Sequence, residues 1–226
     1  AGLAIDPADP ALDRKLAVFA EELREPLTTC AVVGKDLGAT NPMLDSIYAH
    51  LGIPQLHLVQ RRVPACPPRL RELRGYREAM TGQGLAWAAR ALLGDAGLRN
   101  ARVAIQGAGV VGLGAARRLE ELGARTVAMS DARGSALFSA GRTWKDLEAA
   151  SSGGRLGVVP HSIEAPREAA LHAPCDVLVL AARSHSVDAR LAEGIQASLV
   201  VEGANFGLTD GARAVLHRRS ITVLPD

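Results

Sequence analysis

The stretch VAIQGAGVVG (residues 103–112) decides the fold of this chain. Its apolar start predicts a buried strand over 102–106, and the apolar pattern that follows predicts a helix over 110–122, closed by Gly123. Between them, Gly107 permits a tight strand-to-helix turn, Gly109 leaves the backbone open to a close ligand, and Gly112 lets the helix pack near the strand. Because a helix N-terminus attracts phosphate, the stretch predicts a dinucleotide-binding turn.

Strands and helices alternate on both sides of that turn. The apolar patterns predict helices over about 81–93, 143–150 and 208–218, and strands over 125–129, 175–181, 199–201 and 221–224. Such alternation is typical of a parallel sheet with helices on both faces. The predicted fold class is therefore α/β, with a Rossmann-type doubly wound parallel sheet in the C-terminal part of the chain.

An acidic side chain ends the second predicted strand. Asp131 lies nineteen residues after Gly112, where a carboxylate is placed to accept hydrogen bonds from the ribose hydroxyls of the adenosine. It would repel a 2′-phosphate, which favours NAD over NADP. Arg133 could offset that repulsion, so NADP remains the alternative. A glycine-rich turn without a ligand, followed by an ordinary surface aspartate, is the bland interpretation of the same residues.

The first eighty residues predict a separate α/β domain. One helix over 11–25 carries an apolar face and is predicted to end at Pro26, and residues 27–42 predict a strand that runs into a loop. Prolines and arginines are frequent between residues 53 and 77, which indicates irregular structure near a boundary; the arginines form either a solvated surface or an anion site. The predicted domains are 1–80 and 81–226.

Composition excludes several classes of protein. The formal net charge is +2, with 26 basic and 24 acidic residues, which gives no reason to expect nucleic acid or a membrane surface as a partner. Three widely spaced cysteines fit a reducing compartment better than a disulfide framework, and no Cys or His pair has metal-ligand spacing. No signal peptide or spanning segment is recognisable, so we expect a cytoplasmic protein without a metal.

Six stretches give the chain a resemblance to the glutamate/leucine/phenylalanine/valine dehydrogenases, which deaminate amino acids oxidatively. The stretch at 103–112 resembles the family's VAVQGFGNVG, and the others are TGQG at 81–84, SDARG at 130–134, VVEGAN at 200–205 and VLPD at 223–226. Residues 35–41, KDLGATN, resemble the loop that carries the family's catalytic aspartate.

The resemblance implies a set of site residues. Asp36 would be the catalytic proton shuttle, although a loop-capping aspartate is the bland interpretation. Thr81 and Asn205 would hold the nicotinamide end, and Ala181 and Ala182 would border the cofactor. The implied cofactor-binding set is completed by residues already placed at the turn and after the second strand: Gly107, Gly109, Val110, Val111, Gly112 and Asp131.

The implied function is NAD(P)-dependent oxidative deamination of an L-amino acid to a 2-oxo acid and ammonia. The family's catalytic lysine motif, GGxKGG, would fall just before Ala1, and the family continues beyond Asp226, so we expect a chain truncated at both ends. The alternatives are a catalytically impaired dinucleotide-binding subunit or regulator, and another two-domain NAD enzyme. VVEGAN leans towards glutamate dehydrogenases, whereas KDLGAT is closer to the branched-chain and aromatic members. A homo-oligomer acting on a small amino acid or 2-oxo acid is expected.

Overall fold

The computed structural model describes residues 9–34, 39–53, 74–152 and 155–226. The chain divides into two compact units, with the boundary between residues 71 and 72. In the first unit, three helices are α1 (Leu12–Glu22), α2 (Arg24–Thr29) and α3 (Asn41–His50). Leu16 and Ala20 of α1 pack with Leu27 of α2 and Ile47 of α3 in a small buried core, which confirms the apolar face predicted for the first helix.

The predicted helix end at Pro26 and the strand predicted after it are wrong. The chain turns at Leu23, and α2 begins at Arg24 with Pro26 in its first turn. A proline is tolerated there because the N–H it lacks would have no intrahelical acceptor anyway. Residues 31–34 then have no regular secondary structure.

The second unit alternates helices and strands. In chain order its elements are α4 (Arg74–Leu98), β1 (Arg102–Gln106), α5 (Val110–Glu121), β2 (Arg125–Ser130), β3 (Ser135–Arg142), α6 (Trp144–Ala150), β4 (Ser151–Ser152), β5 (Arg155–Leu156), β6 (Ile163–Ala165), β7 (Val177–Leu180), α7 (Ala189–Glu193), β8 (Leu199–Glu202), α8 (Asp210–Arg218) and β9 (Thr222–Leu224). A left-handed residue, Gly94 (φ 68°), interrupts α4, directly after the helix that was predicted over about 81–93.

The described residues form a seven-stranded sheet with the order β6-β3-β2-β1-β7-β8-β9. Five consecutive strands of that order, β2, β1, β7, β8 and β9, are parallel to one another. At one edge β3 pairs antiparallel with β2, and β6 pairs antiparallel with β3. The predicted α/β class with a mostly parallel sheet is confirmed, whereas the antiparallel edge was not predicted.

Side chains of the central strands alternate between two buried faces. Val103 and Ile105 of β1 pack with α4, α5 and α6 in one core. Ala104, between them, faces a second core that contains residues of α7 and α8. Because a strand alternates its side chains with a period of two, a strand covered on both sides must be apolar throughout. This explains the continuous run Val177–Leu180, in which every residue is buried.

Candidate functional site

The candidate site lies where the strand order reverses. From β1 the chain builds β2 on one side and later returns to place β7 on the other, so the connections that leave β1 and β7 diverge at the carboxyl edge of the sheet. In open α/β sheets a crevice forms at such a point and holds the ligand. Two backbone bonds define it here: Gly107 N–H donates to Ser130 O at 2.8 Å, and Ala181 N–H donates to Gln106 O at 2.8 Å.

At two of its three glycines, the turn has no room for a side chain. Gly107 has a φ of 110°, and a Cβ there would lie 2.4 Å from Ala181 O. A Cβ on Gly112 would lie 1.9 Å from Gly107 O. A Cβ on Gly109, by contrast, would meet no heavy atom within 4 Å. The first and third glycines are therefore required by the fold, and the second leaves open space over the backbone.

Gly109 is also the residue that precedes α5, and no side chain caps that helix. Its first-turn N–H groups lack intrahelical acceptors, and the helix dipole adds a partial positive charge. Val110, at the first position, is 46% exposed, and Val111 is half-buried. An anionic group placed over Gly109 would therefore meet backbone donors, and the residues present fit a dinucleotide pyrophosphate.

Two further predicted regions converge on the start of α5. In α4, a Cβ on Gly82 would lie 2.2 Å from Val111 O, so the α4 backbone beside the exposed Thr81 packs directly against this helix. After β8, a Cβ on Gly203 would lie 2.3 Å from Leu85 Cδ1 and 3.3 Å from Val111 Cγ1. The structure therefore brings the TGQG and VVEGAN stretches to the same helix end as the glycine turn.

The connections after β7 and β8 are joined by backbone hydrogen bonds. Gly203 and Ala204 N–H both donate to Leu180 O, at 2.7 and 2.9 Å. His185 N–H donates to Phe206 O at 2.7 Å, and both residues have left-handed backbones, with φ of 52° and 51°. Non-glycine residues adopt that conformation only where the surrounding structure enforces it, often at functional sites.

The predicted residues of these two connections are accessible. Ala182 and Asn205 are exposed, and Ala181 is half-buried. His185 is also exposed and lies in the connection after β7. The three residues predicted to contact the cofactor, Ala181, Ala182 and Asn205, therefore lie in adjoining connections on the β7–β8 side of the crevice.

Asp131 has a complete set of partners within the chain. Its Oδ1 accepts from the backbone N–H groups of Arg133 and Gly134 at 2.7 and 3.1 Å, and its Oδ2 accepts from Leu156 N–H at 2.8 Å. The Arg133 guanidinium lies 3.3 Å from Oδ2, and the Asp131 side chain is only 3% exposed. These bonds close the turn between β2 and β3 and attach β5 to it. The ribose contact of Asp131 remains a prediction.

The same surroundings set the ionisation of Asp131. Burial alone would raise the pKa of this carboxyl. The backbone donors of Arg133, Leu156 and Gly134, with the charge of Arg133, outweigh burial and lower the pKa of Asp131 below its ordinary value. The group is therefore an anion at neutral pH, and its charge is already matched by its own turn.

Asp36 and Lys35 lie outside the described residues, so the catalytic assignment of Asp36 remains a prediction. Groups of three or more His, Cys, Asp or Glu side chains able to hold a metal ion do not occur in the described part of the chain. Across 9–34, 39–53, 74–152 and 155–226, the helices are too short or too polar to span a bilayer.

Sequence reasoning missed Glu202 and Ser186. The Glu202 side chain is 0% exposed and lies 2.6 Å from Arg213. The Ser186 hydroxyl donates to Gln106 Oε1 at 2.9 Å and so joins the β7 connection to the residue before the glycine turn. The signal for Glu202 was present in the sequence, because a charged residue at the end of a buried apolar strand requires a partner.

Known proteins match this chain in sequence. The family model for glutamate/leucine/phenylalanine/valine dehydrogenase matches residues 75–226. Glutamate dehydrogenase B of Halobacterium salinarum is 32% identical over 235 aligned positions, which cover 100% of this chain and 54% of that protein. The NADP-specific glutamate dehydrogenase of Saccharolobus shibatae is 36% identical over 155 positions, covering 67% of this chain and 37% of that protein.

A solved structure agrees. The hetero-hexameric glutamate dehydrogenase of Thermus thermophilus, in a leucine-bound form, superposes with a TM-score of 0.77 at 31% identity, covering 99% of this chain and 54% of that chain. This chain thus spans about half the length of the relatives it matches. The glycine turn, the converging TGQG and VVEGAN stretches and these matches agree, and the chain belongs to the glutamate/leucine/phenylalanine/valine dehydrogenase family.

Proposed function

We propose that the protein to which this chain belongs catalyses NAD(P)-dependent oxidative deamination of an L-amino acid to a 2-oxo acid and ammonia. The observation that carries the proposal is the open space over Gly109 at the uncapped start of α5, at the reversal of strand order in a chain of this family. When bound, the dinucleotide supplies a hydride acceptor for the substrate carbon.

The roles of the chain's residues follow from their positions. Gly107 and Gly112 keep the turn close to the sheet, and the first N–H groups of α5 bind the pyrophosphate over Gly109. Thr81, Ala181, Ala182 and Asn205 border the half of the cofactor on the β7–β8 side. Asp36 would move protons to and from the substrate nitrogen, and this role rests on the family resemblance alone.

Glutamate is the first substrate to test, because the relatives described above are named glutamate dehydrogenases. The choice between NAD and NADP rests on Asp131 and Arg133. The anionic Asp131 favours NAD, whereas its internal hydrogen bonds and the adjacent guanidinium weaken its repulsion of a 2′-phosphate. We propose NAD as the first cofactor to test and NADP as the alternative.

Residues 81–226 are proposed as the dinucleotide-binding domain and residues 1–80 as part of the substrate domain. An oligomer is proposed because the matching Thermus thermophilus enzyme is a hexamer, and a homo-oligomer is its simplest form. Light scattering coupled to size-exclusion chromatography measures the mass of the assembly and therefore the number of chains in it.

Ligand-dependent melting tests the cofactor, and turnover tests the reaction. A ligand that binds only the folded chain stabilises it by about 2.7 kcal/mol at one hundred times its Kd. We expect NAD or NADP to raise the Tm, and the absence of any shift at millimolar concentrations of both would refute the cofactor proposal. Absorbance of the reduced cofactor with glutamate, leucine, valine and phenylalanine then identifies the substrate. Binding without turnover on any amino acid would contradict the proposed reaction.

A further inference from the structure

A half-buried ion pair lies at the base of the connection that carries Asn205. Glu202 is the last residue of β8, and its side chain is 0% exposed. Its Oε2 lies 2.6 Å from Nη2 of Arg213, whose side chain is 33% exposed. Oε2 has no aligned hydrogen-bond donor in the described residues, so the guanidinium charge is its compensation.

The other oxygen of Glu202 closes the base of the connection. Glu202 Oε1 accepts a hydrogen bond from Leu208 N–H at 2.8 Å, so the carboxylate bridges the two ends of the segment 203–207. A Cβ on Gly207 would lie 3.4 Å from this oxygen. The segment is therefore built around the Glu202 carboxylate, with Asn205 exposed on its outer side.

From this segment the contacts continue to the glycine turn. Val187 N–H donates to Gly207 O at 3.2 Å, and the Ser186 hydroxyl, one residue earlier, donates to Gln106 Oε1 at 2.9 Å. Gln106 directly precedes Gly107. Contacts thus run from Arg213 on α8 to Glu202, through segment 203–207 to Val187 and Ser186, and on to Gln106 at the end of β1.

We infer that Arg213 is a positioning residue for the nicotinamide half of the cofactor, acting through Glu202 on segment 203–207. The inference rests on the proposed function. In doubly wound folds the adenosine ribose lies beyond the second strand and the dinucleotide crosses the crevice. In that binding mode, the half beyond the pyrophosphate would lie over the connections after β7 and β8. Removing Arg213 leaves the buried Glu202 carboxylate without its countercharge, and segment 203–207 must then rearrange to hydrate that carboxylate.

The test compares a whole dinucleotide with a ligand that lacks the nicotinamide. Calorimetric titration of the 226-residue chain measures the Kd of NAD or NADP, whichever binds, and of the matching ADP-ribose or 2′-phospho-ADP-ribose. For Arg213→Ala we expect the Kd of the dinucleotide to rise about tenfold or more, which corresponds to about 1.4 kcal/mol. The Kd of the ADP-ribose ligand should change less than about twofold. A general loss of structure would weaken both ligands equally.

Two variants keep the result decisive. Arg213→Lys retains a cation near Glu202 and should recover part of the dinucleotide affinity; it also decides the question if Arg213→Ala does not fold. Arg218→Ala, on the same helix, removes an exposed arginine paired at 3.7 Å with the exposed Glu193 and should leave both ligands unaffected.

Three results have distinct meanings. If the unmodified chain binds neither ligand, the proposed function fails. If it binds both, and the Arg213 variants weaken both equally or neither, the positioning inference is overturned while the proposed function stands. Loss confined to the dinucleotide, with partial recovery in Arg213→Lys, supports the inference.

Discussion

A Cβ atom on Gly112 would lie 1.9 Å from the carbonyl oxygen of Gly107. No side chain fits that gap, so the helix would have to move away from the strand. Gly109, between them, has an extended backbone (φ −85°, ψ −173°) and open space where its Cβ would be. The three glycines of one motif therefore divide into two that the fold requires and one that the proposed ligand requires.

Gly109→Ala should separate binding from folding. Its backbone suits any L-residue. Alanine is a poorer N-cap than glycine by roughly 0.5–1 kcal/mol, but it also restricts the unfolded chain, which stabilises the fold by about 0.4–1 kcal/mol, so the two effects oppose each other. We expect a nearly unchanged Tm and a Kd for NAD or NADP at least about tenfold higher, because the methyl group enters the space proposed for the pyrophosphate. Melting and calorimetry measure both, and unchanged affinity would contradict the proposed approach of the ligand.

Gly112→Ala should have the opposite pattern, since overpacking against a backbone oxygen destabilises proteins by about 1–3 kcal/mol. The Tm should fall before any ligand is added, which denaturant or thermal unfolding detects. A Gly112→Ala chain as stable as the unmodified one would show that the strand and helix are less closely packed than described.

Two glycines of α4 form a second matched pair. A Cβ on Gly82 would lie 2.2 Å from Val111 O and 2.5 Å from Ala115 N, whereas one on Gly84 would meet nothing within 4 Å. Gly84→Ala should stabilise the chain by about 0.5–1 kcal/mol, through the helix preference of alanine. Gly82→Ala should destabilise it, because α4 and α5 would have to separate. Equal Tm changes in the two variants would contradict the close approach of these helices.

The parallel core was predictable because its strands are buried on both faces. Such strands consist of consecutive apolar residues, as in Val177–Leu180, and the glycine spacing supplied the order of strand, turn and helix. β3 was missed because its sequence SALFSAGR mixes polar and apolar residues, and only part of it is buried. The signal that precedes it is Asp131, whose carboxylate caps the backbone of the next residues, as aspartates do in tight turns. Sequence reasoning used that residue for a ligand and overlooked its local structural role.

The contacts around Glu202 were less accessible to sequence reasoning. Its partner Arg213 is one of many arginines in the chain, and only the tertiary structure selects it. Periodicity identifies which face of a helix is buried, whereas an ion pair depends on how two elements distant in sequence are packed. The same limit applies to Ser186 and Gln106, which are separated by eighty residues.

Asp131 should make the stability of the chain depend on acid. Its folded-state pKa is lowered below an unfolded value of about 3.9. Its contribution is therefore complete above that value and is lost as the pH falls through the folded-state pKa. Asp131→Asn should be less stable at pH 7 by about 1–3 kcal/mol, since its amide nitrogen cannot accept the hydrogen bonds that one of the two carboxylate oxygens accepts.

Urea unfolding at a series of pH values measures this difference between Asp131→Asn and the unmodified chain. We expect this difference in the free energy of unfolding to become smaller below pH ~4, where the unmodified side chain also loses its charge. Asp146→Asn is a suitable comparison, because that carboxylate caps the start of α6 at an exposed position and should have a smaller effect. A gap that stays constant down to the lowest pH would contradict the lowered pKa.

The two described cysteines should differ sharply in reactivity. Burial raises the pKa of Cys175 to about 11, against a smaller opposing effect of its hydrogen bond with the Ala104 backbone, and the residue is 4% exposed. Cys30 is exposed. At pH 8 only roughly one Cys175 thiol in a thousand is ionised on this basis, and the thiolate is the reactive form. Brief alkylation with iodoacetamide, followed by peptide mapping, should therefore modify Cys30 and spare Cys175.

In guanidinium chloride both cysteines should react, because unfolding exposes Cys175 and returns its pKa to about 8.5. Since Cys175 packs in the core beneath β7, protection of this thiol also measures how often that core opens. Labelling of Cys175 in the native chain at the rate of Cys30 would show that the sheet around β7 is not the closed structure described.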